Sequence, residues 1–236
     1  MSISNSSTNI KQNEIDFNNF KFENMKNINT LNNIGGNVCC LKILDDGRLA
    51  VGDYFSNLII YNIDIFKPDI IIKNNLGVLC SFIQLKNKNL ACSFFGCFSL
   101  KIIKNINDYN ENKNQIIKYA HNKAITKIIE LKNENLVTFS WDFSFKIWKI
   151  NNNNNYEQIY EFIDNNILTD GLEIKDNEII CYQIKTDPNS LVFYDLNKNE
   201  KIKTLNNLNL SFDISAERTI KLNDNEIVVA GKKKFI

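Results

Sequence analysis

The chain has 236 residues, 44% of them hydrophobic and 23% charged, enough to bury the core of one large all-β domain or two ordinary ones. A net charge of +1, dispersed lysines and carboxylates, and only Arg48 and Arg218 as arginines among 28 basic residues leave no electrostatic footprint for nucleic acid or an anionic membrane. One histidine, eight glycines and six cysteines without a CxxC pair, and no HExxH, GxGxxG or GxxxxGKS/T run, argue against zinc, facial-triad iron and nucleotide-phosphate sites, so neither a metal nor a cofactor is expected.

The first residues, MSISNSSTNIKQNEIDF, are polar and rich in Ser and Asn, with no basic-then-apolar leader. Residues 1–26 are expected to form a disordered or loosely packed tail ahead of one domain over 27–236. Cys39, Cys40, Cys80, Cys92, Cys97 and Cys181 mostly sit inside apolar runs and read as small core residues. No apolar run approaches the length of a membrane-spanning helix, and the expected location is cytoplasmic or nuclear.

From residue 27 onward the chain repeats itself. Each unit opens with a short strand, the first being NINTL (27–31), and then a phrase of strand, polar turn and strand recurs. The phrase appears as KILDDGRLAVG (42–52), FIQLKNKNLACS (82–93), IIELKNENLVTFS (128–140), LEIKDNEIICY (172–182) and IKLNDNEIVVAG (220–231). Anchored on Leu49, Leu90, Leu136, Ile179 and Ile227, the copies lie 41, 46, 43 and 48 residues apart. Their Asp/Asn/Gly-rich centres carry the chemistry of tight hairpin turns. A third strand follows each of the first four copies: NLIIYN (57–62), SLKIIK (99–104), SFKIWK (144–149) and SLVFYD (190–195). The strands DIIIK (69–73), QIIKY (115–119), EQIYEF (157–162) and KIKTL (201–205) then lead to the next copy. The Asn-rich stretches 105–114 and 151–155 read as solvated loops between third and fourth strands.

Each unit thus supplies four short antiparallel strands. One such sheet cannot cover both of its faces, whereas radial stacking of several sheets can, so the fold class is all-β, a β-propeller of about five visible four-stranded blades. Either NINTL pairs with the last strand and closes a five-bladed ring, or the ring is open as part of a larger propeller. The open form is the expectation, and with it self-association through uncovered apolar faces.

The third unit, HNKAITKIIELKNENLVTFSWDFSFKIWKI (121–150), resembles the WD-repeat propeller family. That resemblance implies a structural hydrogen-bonded tetrad of His121, Ser140 (or Thr138), Asp142 and Trp148, in which the histidine is a fastener and not a base. The other units depart from the pattern. Gly35-Gly36 and Tyr61 stand in the first, Gly96 and Ile103 in the second, Asp164 and Tyr194 in the fourth, so their stability should rest on stacked apolar strands. The resemblance also implies a non-catalytic scaffold or adaptor whose partners are other proteins or peptides. Aromatic residues at the turns between second and third strands, Trp141, Phe143, Tyr54, Phe55 and Phe95, are the candidate partner contacts. Alternatives are a catalytic propeller hydrolysing a sugar or ester through paired carboxylates, and a degenerate copy without a retained partner. A Ser140–His121–Asp142 catalytic triad would reuse residues that the repeat already commits to the blade interior.

Overall fold

The computed structural model describes residues 36–184 and 190–206, and the strand backbone of 219–223 and 226–229. The tail 1–26, the strand NINTL, the turn 185–189 and the closing segment GKKKFI lie outside the described residues.

Each repeat phrase folds as a hairpin because its turn residues can do the local bonding. In the first, Gly47 takes a left-handed φ of 86°, and the Asp46 carboxylate accepts the Arg48 N–H at 3.1 Å. Asn87 with Lys88 and Asn133 with Glu134 repeat that geometry. These hairpins open four antiparallel sheets. The first is β1 (Val38–Ile43), β2 (Leu49–Asp53), β3 (Asn57–Asn62) and β4 (Lys67–Lys73). The second is β5 (Gly77–Gln84), β6 (Leu90–Gly96), β7 (Leu100–Ile103) and β8 (Gln115–Ile117). The third is β9 (Ile125–Glu130), β10 (Leu136–Ser140), β11 (Ser144–Ile150) and β12 (Tyr156–Ile163). The fourth is β13 (Ile167–Lys175), β14 (Glu178–Ile184), β15 (Ser190–Asp195) and β16 (Glu200–Leu205). A fifth sheet is described as the hairpin β17 (Thr219–Asn223) and β18 (Glu226–Val229). The described residues hold no α-helix, and none of their helices is long and apolar enough to cross a membrane.

The first strands β1, β5, β9, β13 and β17 touch in succession, so the sheets stack as blades around an axis. Middle strands are covered on both faces and read as continuous apolar runs, while the outer strand β4 alternates in burial. The core is divided into layers shared by neighbouring blades. Leu58, Ile60 and Ile72 of the first blade pack with Leu79, Phe82 and Phe94 of the second. Leu100 and Ile102 meet Ile125, Ile128 and Trp148, and Phe139, Phe145 and Ile147 meet Leu168, Cys181 and Tyr194. Neighbouring blades approach closely at Gly171, where a Cβ would lie 2.3 Å from the Phe139 ring.

The stretch 105–114 is not simply a solvated loop. Ile106 is 5% exposed and enters the apolar layer between the first two blades, with Tyr109 packed beside it. Its neighbour Asn107 accepts a hydrogen bond from Arg48. The run 151–155 is a bonded turn in which the Asn151 side chain accepts the N–H groups of Asn153 and Asn155. Among the cysteines, Cys92 and Cys181 are buried, Cys40, Cys80 and Cys97 half-buried, and Cys39 exposed, which departs from the core reading.

Candidate functional site

The candidate site lies at the end of the propeller where second strands turn into third strands. The first three of these turns each carry a non-glycine residue in the left-handed region: Ser56 (φ 70°), Phe98 (φ 54°) and Phe143 (φ 70°). Its carbonyl accepts the backbone N–H of the residue that enters the next blade: Asn74 at 3.2 Å, His121 at 3.3 Å and Asp164 at 2.7 Å. Asn74, His121 and Asp164 therefore occupy one structural position. Each sends its side chain into the following blade, tying two blades with one residue.

In the third blade this latch is a directional chain. An indole N–H can only donate and a carboxylate can only accept. Trp148 Nε1 donates to Thr138 Oγ1 at 2.9 Å, and that hydroxyl lies 2.7 Å from His121 Nε2. His121 Nδ1 lies 2.9 Å from Asp142 Oδ2, so a proton on Nδ1 satisfies every member of the chain. Asp142 also accepts the Asn122 N–H, the Ser144 N–H and the Ser144 hydroxyl, at 2.8, 3.1 and 2.7 Å. Burial alone would raise the Asp142 carboxyl, but the hydrogen bonds from His121 and Ser144 outweigh it and hold the group well below the usual carboxylate range. Ser140 is not in this chain. Its hydroxyl donates to the Lys123 carbonyl at 3.3 Å and accepts the Asp142 N–H at 3.1 Å, so the second-strand member is Thr138. The hydroxyl of Ser140 therefore makes no contact with the imidazole that a catalytic triad would need.

The second and fourth blades also have polar latches and the first has a bonded polar turn, so apolar stacking is not their sole support. In the fourth, Asp164 accepts Tyr194 Oη at 2.7 Å, Gln183 Nε2 at 2.7 Å and Lys201 Nζ at 3.3 Å. Ser190 donates to Gln183 Oε1 at 2.9 Å. Burial pushes the Asp164 carboxyl up, and Tyr194 and Lys201 more than reverse that, leaving it lowered. In the second, Asn74 Oδ1 accepts Lys101 Nζ at 2.9 Å, a lysine with no exposed side chain whose pKa is lowered by desolvation. In the first, Asp53 is buried and accepts the N–H groups of Phe55 and Asn57 at 3.0 and 2.8 Å. The residues Asp164 and Tyr194 stand out in the sequence, but Gln183 and Lys101 give no signal there, being ordinary strand residues.

Outside these latches the same end is aromatic. Tyr54, Phe55, Phe95 and Phe143 are 57%, 63%, 47% and 37% exposed, and Trp141 is half-buried. Phe95 meets Trp141 edge-on at 6.1 Å, and Tyr54 meets Phe55 at 6.1 Å. Lys123 Nζ lies 5.0 Å from the Phe143 ring centre. The sequence reading missed Tyr119, 76% exposed beside the His121 loop. The described carboxylates of this end, Asp53, Asp142 and Asp164, are each engaged in the hydrogen bonds given above. Glu130, whose pKa burial raises, sits at the opposite end and accepts the Lys86 N–H at 2.9 Å. Among the described residues no group of three or more His, Cys, Asp or Glu is placed to hold a metal ion.

No family model matches the chain, and no curated protein matches it. Solved structures do. A chain of the mitotic checkpoint complex superposes with a TM-score of 0.62 at 12% identity, over 84% of this chain and 61% of that one. U3-55K gives 0.68 at 11%, over 84% and 59%, and the RRP9 WD40 repeats give 0.68 at 10%, over 84% and 58%. The fold is that of a WD40-type β-propeller. The chain spans about three-fifths of the length of these WD40 relatives in fold, at identities that speak to fold alone.

Proposed function

We propose that this protein is a non-catalytic interaction scaffold that receives a protein or peptide on the aromatic end of its WD40-type propeller. The observation that carries the reading is the group Tyr54, Phe55, Phe95, Tyr119 and Phe143, contributed by three blades and left facing solvent. Exposed aromatics cost free energy in water, and aromatic side chains supply most binding hot spots, so their collection at one end of a rigid scaffold fits docking. The latches beneath them hold the turns in fixed positions, which lowers the ordering cost of binding. A structure similar in fold is a chain of a named multi-protein complex, which agrees with this role. Cytoplasm or nucleus is the proposed location.

The test is affinity capture from the native cell with the wild type and with a Phe55→Ser/Phe95→Ser/Tyr119→Ser variant of unchanged melting temperature. Partners that bind the wild type and are lost with the variant support the reading. An identical partner set for both proteins sinks it.

A further inference from the structure

The loops of blades one to three at the aromatic end, with the strand residues that border them, hold six charged residues: Asp53, Asp142 and Asp164, and Lys73, Lys118 and Lys123. The signs are sorted by direction. All three carboxylates turn inward, with Asp53 0% exposed and the side chains of Asp142 and Asp164 5% and 11% exposed. Each is engaged by its own fold. Asp53 holds the Phe55 and Asn57 N–H groups, Asp142 holds His121 and Ser144, and Asp164 holds Tyr194, Gln183 and Lys201. All three lysines point outward and are exposed, and among the described residues none is paired with a carboxylate. Lys123 stands over the Phe143 ring, and Lys118 precedes the exposed Tyr119. Among the described residues, a chain of nearly balanced charge therefore presents at this end an aromatic surface bearing positive charge that no carboxylate pairs.

We propose that the occupant of this surface is an acidic peptide segment, with aspartate or glutamate side chains meeting Lys73, Lys118 and Lys123 and an apolar anchor seated among Tyr54, Phe55, Phe95 and Tyr119. This rests on the reading of the aromatic end as a docking surface and adds the chemistry of the partner. Carboxylates are favoured over phosphates because the cations here are lysines. Arg48, the one arginine whose side chain is described, lies in the β1–β2 turn at the opposite end, bonded to Asp46. Ammonium groups act as separate point charges, whereas dense phosphate recognition favours the planar guanidinium fork. Three cations are also few for tracking a nucleic-acid backbone. Opposite charge across the rim sets partner choice and encounter rate, while the aromatic anchors set residence.

The experiment selects binders from a library of random dodecapeptides on the immobilised full chain, then measures individual synthetic peptides by fluorescence anisotropy. Oligothymidylate and an unstructured RNA oligomer run as parallel probes. The expected result is selected peptides rich in Asp and Glu around an apolar residue. Their affinity should fall about tenfold or more in a Lys73→Glu/Lys118→Glu/Lys123→Glu variant and fall also between about 50 and 200 mM salt. The Phe55→Ser/Tyr119→Ser variant should weaken the same peptides. Peptides lost with the aromatic variant but without acidic enrichment or lysine dependence would overturn the charge inference and leave the docking reading standing. Peptides indifferent to both variants, or no binding of any probe, would overturn both. Lysine-dependent binding of the oligonucleotides without peptide binding would assign the surface to nucleic acid and overturn the proposal.

Discussion

Thr138 and Ser140 are two residues apart on β10 and so present their hydroxyls to the same face of the blade. Sequence pattern cannot choose between them; register does. Trp148 stands opposite Leu136, which places Thr138 on the adjacent diagonal within reach of the indole and Ser140 a further step away at the turn. Thr138→Val should therefore strand the Trp148 N–H and the His121 ring nitrogen in a buried setting and cost roughly 1–3 kcal/mol, read by chemical denaturation. No loss would mean that this chain of bonds does not support the blade. Asp142 gives a pH signature. Its folded pKa lies below the unfolded value of about 3.9, so its contribution is complete above that value and is lost as the pH falls through the folded one. The melting-temperature advantage of wild type over Asp142→Asn should be constant near neutrality and shrink below about pH 4. An advantage independent of pH in that window would exclude the charge as its source. His121, Trp141-Asp142 and Trp148 stand out in the sequence because all lie in one unit, whereas the choice of Thr138 over Ser140 does not. In the fourth blade Asp164, Gln183 and Tyr194 do comparable work with a different set of donors, and although Asp164 and Tyr194 stand out in the sequence, Gln183 does not.

At the scale of elements, the hairpins were legible because their turns need residues that tolerate a left-handed φ or bond to their own backbone, as Asp46-Gly47 does. What joins the hairpins was not. At the end opposite the aromatic surface, the first turn of each of the first three blades donates a backbone N–H to a side chain at or near the end of the next blade's first strand. Asp45 donates to Gln84 at 2.7 Å, Lys86 to Glu130 at 2.9 Å and Lys132 to Glu173 at 2.8 Å. In sequence these three residues look like solvent-facing strand ends. Since Gln84 and Glu130 perform one task, Glu130→Gln keeps the acceptor and removes a charge whose burial raises its pKa. It should be neutral or stabilising at pH 7, whereas Glu130→Ala should cost about 0.5–1.5 kcal/mol. A folded pKa above the unfolded value of about 4.3 means that the penalty on wild type is present above the folded value and absent below the unfolded one. Any gain of Glu130→Gln over wild type should thus vanish in acid. A substitution to Gln as harmful as that to Ala would refute the shared role. The polar composition of 105–114 likewise hid its function, although Ile106 and Tyr109, two apolar residues in a polar stretch, were the available signal.

For the whole molecule, a propeller blade is stable when both faces are covered, and the first strands record which faces are. Leu41, Phe82 and Ile128 occupy the same register position, facing Val51, Cys92 and Thr138 of their second strands. Phe82 and Ile128 are 6% and 0% exposed, whereas Leu41 is 66% exposed. The Gln84 and Glu130 position tells the same story, because β1 carries Ile43 there, 65% exposed and unable to accept a bond from another blade's turn. With Val38 at 44%, β1 presents a row of apolar side chains on the face that β5 and β9 turn to a neighbouring blade. Such a row is a recognised route to association, and the chemistry that would satisfy it is another apolar strand face. The purified chain should therefore self-associate with rising concentration, and Leu41→Lys/Ile43→Lys should shift it toward monomer without lowering its melting temperature. Sedimentation velocity over a concentration series reads both effects. A wild type that stays monomeric throughout, or a double variant that associates as strongly as wild type, would show that the β1 face is not the contact.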